Sequence, residues 1–314
     1  DVLVIIRSLK GIAKIYLDTI QPIKAERVLS EAIMLIEACP IEKKEENRLY
    51  AIMAENFLNA GHAPKALEWF DKLDVVYKQE EAGNLEARIL LRSGNLHRAK
   101  KLLLYKKKDQ TEGTLQQSHR ETDLLLSLVE AFMGNADQAK KLADAGIKQG
   151  IKLQAPFVEA CGWIRLGHAV QVMEIYDSAL AKECYQTALE IMEELNVSRG
   201  KAEANMGLCI LHTNQGAYEK AILCGEEALK ETEEVKDNWL SGLIYLAMKI
   251  ACIHNRKWDK ADYYGLRASR LLRNCGDQYA EMLLSFWKSI YYFERQEWKE
   301  FTQSMNVFLN FLQT

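Results

Sequence analysis

The chain has 314 residues, 48% of them hydrophobic and 27% charged, with a formal net charge of −3. This composition suits a folded, helix-rich chain and excludes a disordered one. The charge excludes a surface built to wrap duplex nucleic acid, which needs a concentrated basic face.

The first amphipathic run, VLVIIRSLKGIAKIYL, begins directly after Asp1 without a Met or a signal-peptide layout, as expected for a domain cut from a longer polypeptide. Helical patterns then come in pairs. The first member of each pair is expected over 1–17, 44–59, 79–92, 116–133, 154–174, 199–215, 238–254 and 276–294. The second is expected over 22–38, 64–77, 96–106, 136–149, 178–195, 218–235, 258–274 and 298–312. Pro22, Pro64 and Pro156 stand at helix starts, where a missing N–H is harmless, and Pro40 lies in a link. Gly61, Gly94, Gly134 and Gly216 lie in the turns within pairs, each free to take the left-handed conformation that ends a helix. No sustained period-two alternation and no Asn-Gly or Asp-Gly hairpin signals a strand. The longest nearly apolar stretch, Leu240 to Ile253, is interrupted by Lys249 and is too short to span a bilayer.

The clearest unit is 199–235, two helices joined at Gln215–Gly216–Ala217. Ala202, Ala204 and Gly207 leave room for a neighbour, Ala221 and Ala228 share one face, and Tyr218 is placed to plug the gap between the helices. The alanine after the turn recurs as Ala25, Ala66, Ala99, Ala139, Ala181, Ala221 and Ala261, with Phe301 in eighth place, at spacings of 41, 33, 40, 42, 40, 40 and 40. A second small residue follows seven later at Ala32, Ala188, Ala228 and Ala268. This is an eight-unit helical repeat. One helix pair cannot cover its own apolar stripe, so it stacks on the next. The expected fold is all-α: a single domain over 1–314, an α–α superhelix, right-handed, with the first helices lining the inner wall. The link KKKDQTEGTLQQ after the short third unit reads as a solvated loop, and Lys106 to Lys108 as solvated rather than phosphate-binding.

The segment AEANMGLCILHTNQGAYEKA at 202–221 resembles the tetratricopeptide repeat (TPR) in its small–large–small order, its Gly216 turn, Tyr218 and Ala221. It departs in length, since that repeat has about 34 residues. LEARILLRSGNLHRAKKLL at 85–103 and PFVEACGWIRLGHAVQV at 156–172 resemble the regulatory domain of large bacterial transcription activators of the MalT-like, LuxR or SARP type. That resemblance implies a superhelix that receives an inducer or partner protein and controls nucleotide-binding and DNA-binding modules elsewhere in the polypeptide. DNA would then be reached only through another domain. No GxxxxGK[ST] phosphate loop is present here.

HExxH, GxSxG and zinc-ligand spacings are missing, so no enzyme, cofactor or metal site is expected. The seven cysteines form no CxxC and read as small buried hydrophobes in a reducing cytoplasm. The expected recognition surface is the inner wall, where the repeat register places Ile164, His168, Gln171, Glu203, Met206, Ile210 and Thr213. Such a groove suits a small-molecule effector or an extended peptide, while Ile164, Met206 and Ile210, each taken alone, read better as ordinary inter-repeat packing. Lys201 and Asn205, four apart, resemble half of the carboxylate clamp of chaperone-binding TPR domains. The expected function is a non-catalytic, ligand- or protein-binding sensor domain of a transcription activator, with a free-standing TPR scaffold or co-chaperone-type adaptor as the alternative. The aromatic-rich last repeat, including Trp298, Phe301 and Phe308, is expected to expose an apolar patch for homo-oligomer formation.

Overall fold

The computed structural model describes residues 2–18, 21–39, 41–109, 121–173 and 176–313, and no strand occurs among them. The helices are α1 (Val2–Asp18), α2 (Pro22–Ala38), α3 (Lys43–Asn59), α4 (Ala63–Asp71), α5 (Val75–Glu80), α6 (Leu85–Arg92), α7 (Leu96–Asp109), α8 (Thr122–Phe132) and α9 (Ala136–Lys152). They continue as α10 (Pro156–Gln171), α11 (Ser178–Glu194), α12 (Ser198–Asn214), α13 (Tyr218–Val235), α14 (Asn238–His254), α15 (Trp258–Cys275), α16 (Gln278–Glu294) and α17 (Trp298–Gln313). With the short α5 set aside they form eight pairs, each packed chiefly on its neighbours in the chain.

The chemistry of the repeat is local. All seven alanine marks, and Ala32, Ala188, Ala228 and Ala268, are completely buried, because a lone Cβ lets a neighbouring helix come close. Gly61, Gly94, Gly134 and Gly216 all have positive φ, from 72° to 81°. Asp177, Asp237 and Asp277 cap α11, α14 and α16 by accepting from backbone N–H groups in the first turn. Five of the seven cysteines are buried, Cys224 is half-buried and Cys39 exposed, all as free thiols. Burial pushes the Cys161 and Cys184 thiols up to about 12, which leaves them unreactive at neutral pH.

Two predicted helices are redrawn at the join of the second and third units. The helix expected over 64–77 stops at Asp71, and the one expected over 79–92 is split into α5 and α6. Asp74 accepts from the Tyr77 N–H at 2.7 Å and starts α5, while its carboxylate is held by Asn47 of α3. Gly83, at φ 55°, then breaks the chain before α6. Residues 110–120 of the following link and Pro40 lie outside the described residues. Lys106 donates to the Gly83 carbonyl and Lys107 pairs with Asp123 at 2.5 Å, so these two lysines serve the repeat itself. Tyr218 is half-buried.

The superhelix also touches itself. Arg199 of α12 donates to the Asn59 carbonyl at 3.2 Å, and the Phe132 and Tyr279 rings stack at 4.9 Å. A Cβ on Gly61 would come within 2.5 Å of Trp239 Cβ, and one on Gly94 within 2.9 Å of the Tyr279 backbone nitrogen. The contacting units are four or five repeats apart, so the turns that end α3, α6 and α8 rest on the starts of α12, α14 and α16. Gly134 and Gly216 have no such neighbour within 4 Å. The glycine pair Gly61 and Gly216 therefore separates local strain from closure. Gly216→Ala is expected to destabilise by about 1 kcal/mol from its positive φ alone. Gly61→Ala is expected to destabilise more and to enlarge the radius of gyration in small-angle scattering. Equal effects of the two substitutions on both measurements would show that the seam contributes nothing.

Candidate functional site

On α10, Arg165, His168 and Gln171 follow at three-residue steps and so share one face. The same face of the adjacent α12 carries Arg199, Glu203, Met206 and Ile210. Arg165 Nη1 lies 2.5 Å from Glu203 Oε1, and His168 Nε2 lies 3.7 Å from the same oxygen. Gln171 donates to the Gly207 carbonyl at 3.0 Å. Three of the residues expected on this wall, His168, Gln171 and Glu203, are thus joined in a polar ladder across two repeats. Of the other four, Ile164, Met206 and Thr213 are buried and Ile210 is half-buried. Ile164 is 1% exposed in the core between α9 and α12, and Met206 and Ile210 pack against α14 and its neighbours. Thr213 is buried and donates to the Cys209 carbonyl at 2.8 Å. Lys201 turns away to Glu231 of α13 at 2.8 Å, so the ammonium of the clamp-like pair is already neutralised within its own repeat.

Burial by itself would raise the Glu203 carboxyl, but the Arg165 charge and the His168 contact outweigh it and hold the group well below the usual carboxylate range. On Arg165 burial opposes the charged form and Glu203 more than restores it, so its pKa is raised.

The ladder is braced from behind by Tyr185 of α11, which is completely buried. Its hydroxyl lies 2.8 Å from His168 Nδ1. Its ring fills a slot between two helices: a Cβ on Gly167 would come within 2.7 Å of the ring and one on Gly207 within 2.3 Å. In the next two repeats the large and small partners are exchanged. The residues equivalent to Tyr185 are Gly225 and Gly265, and Met248 and Lys249 of α14 fill the space they leave. Sequence reasoning missed Arg165 and Tyr185. The available signal was the 40-residue spacing of Gly167 and Gly207, which matches that of the alanine marks.

Towards the seam the wall becomes rich in arginine. Arg199 Nη1 pairs with Asp237 Oδ2 at 2.9 Å. The Arg92 guanidinium lies 3.1 Å above the Trp239 ring, and Trp239 donates to Asp277 at 2.6 Å. Burial, reinforced by the Arg199 charge, pulls Arg92 down to about 9. At the amino-terminal end, Arg88 pairs with Glu55 at 2.8 Å beside a cavity of about 440 Å³ lined also by Lys10, Lys14, Arg48 and Glu81, where Lys10 and Arg48 are paired with Glu45. The wall as a whole presents charged and amide hydrogen-bonding groups and an opening lined by both cations and carboxylates. Among the described residues no group of three His, Cys, Asp or Glu could hold a metal, and no helix is long and apolar enough to cross a membrane.

The chain is a TPR-like α–α superhelix. No protein-family model and no curated protein matches its sequence. Among solved structures it is similar to a Rap protein complexed with Competence and Sporulation Factor, with a TM-score of 0.73 and 11% identity over 98% of this chain and 87% of that one. It is also similar to the apo form of RapI, with a TM-score of 0.50 and 12% identity over 97% of this chain and 86% of that one. At such identities the likeness is one of fold.

Proposed function

We propose that the chain is a non-catalytic adaptor that binds a peptide segment or partner protein along its inner wall. The observation that carries this reading is the polar ladder Arg165–Glu203–His168 with Gln171, which spans two repeats on one face and leads towards the opening beside Arg88 and Lys14. An extended segment with an acidic residue matches it, its backbone meeting the amide groups and its carboxylate meeting Lys14. A structural neighbour solved with Competence and Sporulation Factor lends support.

The sensor domain of a transcription activator is a narrower form of the same reading, supported by the phrases at 85–103 and 156–172. It would take a small effector or a partner on this wall and reach DNA through another domain. A full-length reading frame that carries nucleotide-binding and DNA-binding modules separates it from the adaptor. In either form the exposed Phe293 and Trp298, at 46% and 56%, offer an apolar surface for self-association.

Peptide arrays read by fluorescence anisotropy test the adaptor reading. Acidic, extended peptides are expected to bind, and Gln171→Ala and Lys14→Glu are each expected to weaken them by roughly tenfold, about 1.4 kcal/mol. Binding that both variants leave unchanged would place the contact elsewhere and end this reading.

A further inference from the structure

Lys249 is the single charge inside the apolar run Leu240 to Ile253. In the structure it is 7% exposed on α14, and among the described residues no carboxylate lies within ion-pair distance of its ammonium. Its neighbour is the Tyr291 ring, with the centroid 5.6 Å from Nζ, and the Tyr291 hydroxyl donates to Asp262 at 2.7 Å. Gly265 gives the lysine its path: a Cβ there would come within 3.0 Å of both Cδ and Nζ. The side chain runs past this glycine to the wall of a cavity of about 700 Å³ between α15 and α17, floored by α16. The apolar part of the lining is Leu266, Leu284, Val307 and Phe311, set beside Ser269, Ser285 and Ser304, and Leu266 and Val307 are 73% and 50% exposed. A largely buried ammonium with no carboxylate in contact is destabilising until an anion reaches it.

We propose that this cavity binds a small organic monocarboxylate, with its carboxylate on the Lys249 ammonium and its hydrocarbon body along Leu266, Leu284, Val307 and Phe311. The site is separate from the inner wall and does not depend on the adaptor reading. The other charged groups at the cavity are Asp262 and Arg273 on α15 and Glu281 and Lys288 on α16, joined by the Tyr291 and Tyr292 hydroxyls; α17 contributes none. Burial pulls Lys249 down to about 8, against the pull of Asp262 and with the help of Lys288. A bound anion favours the ammonium, so binding above pH 8 takes up a proton.

Isothermal titration of the whole chain with hexanoate, and with hexanamide as its neutral isostere, tests the site. Hexanoate is expected to saturate one site, with hexanamide roughly tenfold weaker or worse. Titration near pH 8.5 in two buffers of different ionisation enthalpy should register proton uptake. Lys249→Met is expected to weaken hexanoate by at least roughly tenfold while keeping or raising Tm, because it removes a buried unpaired charge. Gly265→Leu, which fills the lysine's path, should abolish binding and tests the site independently if the methionine variant fails to fold. Equal affinity for hexanoate and hexanamide, or unchanged affinity in Lys249→Met, would overturn the proposal. So would tighter binding of a capped glutamyl peptide, which would assign the site to a protein side chain.

Discussion

Gly207→Ala is expected to destabilise the chain by about 1–3 kcal/mol, the usual range for forcing extra volume into a packed core. The sign is the informative part. In the interior of a helix the same change ordinarily stabilises by about 1 kcal/mol, since glycine is a poor helix former. Here the added Cβ would sit 2.3 Å from the Tyr185 ring, which is completely buried, held from the other side by Gly167 and tied at its hydroxyl to His168. The ring has no free direction in which to yield. In a Tyr185→Leu background the obstacle is gone, and Gly207→Ala should revert to the helix-propensity gain. Urea unfolding of the four proteins gives the coupling directly. A Gly207→Ala protein at least as stable as the parent, or one equally destabilised in both backgrounds, would show that the slot is not rigid. Because the same ring positions His168, the substitution should also disturb the inner wall, whose groups lie on the opposite side of that contact.

Glu203→Gln is expected to destabilise by about 3 kcal/mol near neutral pH, because it leaves the buried Arg165 guanidinium without its counter-charge. The pH dependence identifies the cause. The Glu203 carboxyl is held well below its ordinary value of 4.5 in the folded chain and returns to it on unfolding. Between those limits the unfolded chain binds the extra proton, so stability rises with pH there. The contribution of Glu203 is complete above about pH 5 and is lost as pH falls below 4.5 towards the folded value. The gap between parent and variant should therefore close as pH falls through that window. A gap that stays constant from pH 7 to pH 3 would mean that the pair's charge is not what the glutamine removes.

The repeat was legible because its causes lie within a few residues of one another. Each alanine mark lies within one helix pair, and each turn glycine acts on its own φ. The helix boundaries followed from these signals except at the join of the second and third units, where the Asn47–Asp74 contact and Gly83 recut two helices into three. Of the inner wall, only the register was legible. It placed Glu203, His168 and Gln171 on a shared face, yet gave no means of telling them from Ile164 and Thr213, which the same register turns into packing. Arg165 was overlooked because a charged residue in a helix is ordinarily read as solvated. Its burial depends on Glu203, 38 residues later in the next repeat.

By itself, then, the amino-acid order determined an all-α chain of eight stacked helix pairs, with its small residues, turns and caps in register. Only the tertiary structure decided which repeats meet across the superhelix, that Gly61 and Gly94 carry a seam while Gly134 and Gly216 do not, and that Lys249 ends in a cavity. The reason is cumulative geometry. Each pair adds a small rotation set by the sizes of the side chains between it and the next, and the seam depends on the sum over four or five such steps. No window of sequence contains that sum, so identical turn glycines acquire different roles once the array closes on itself.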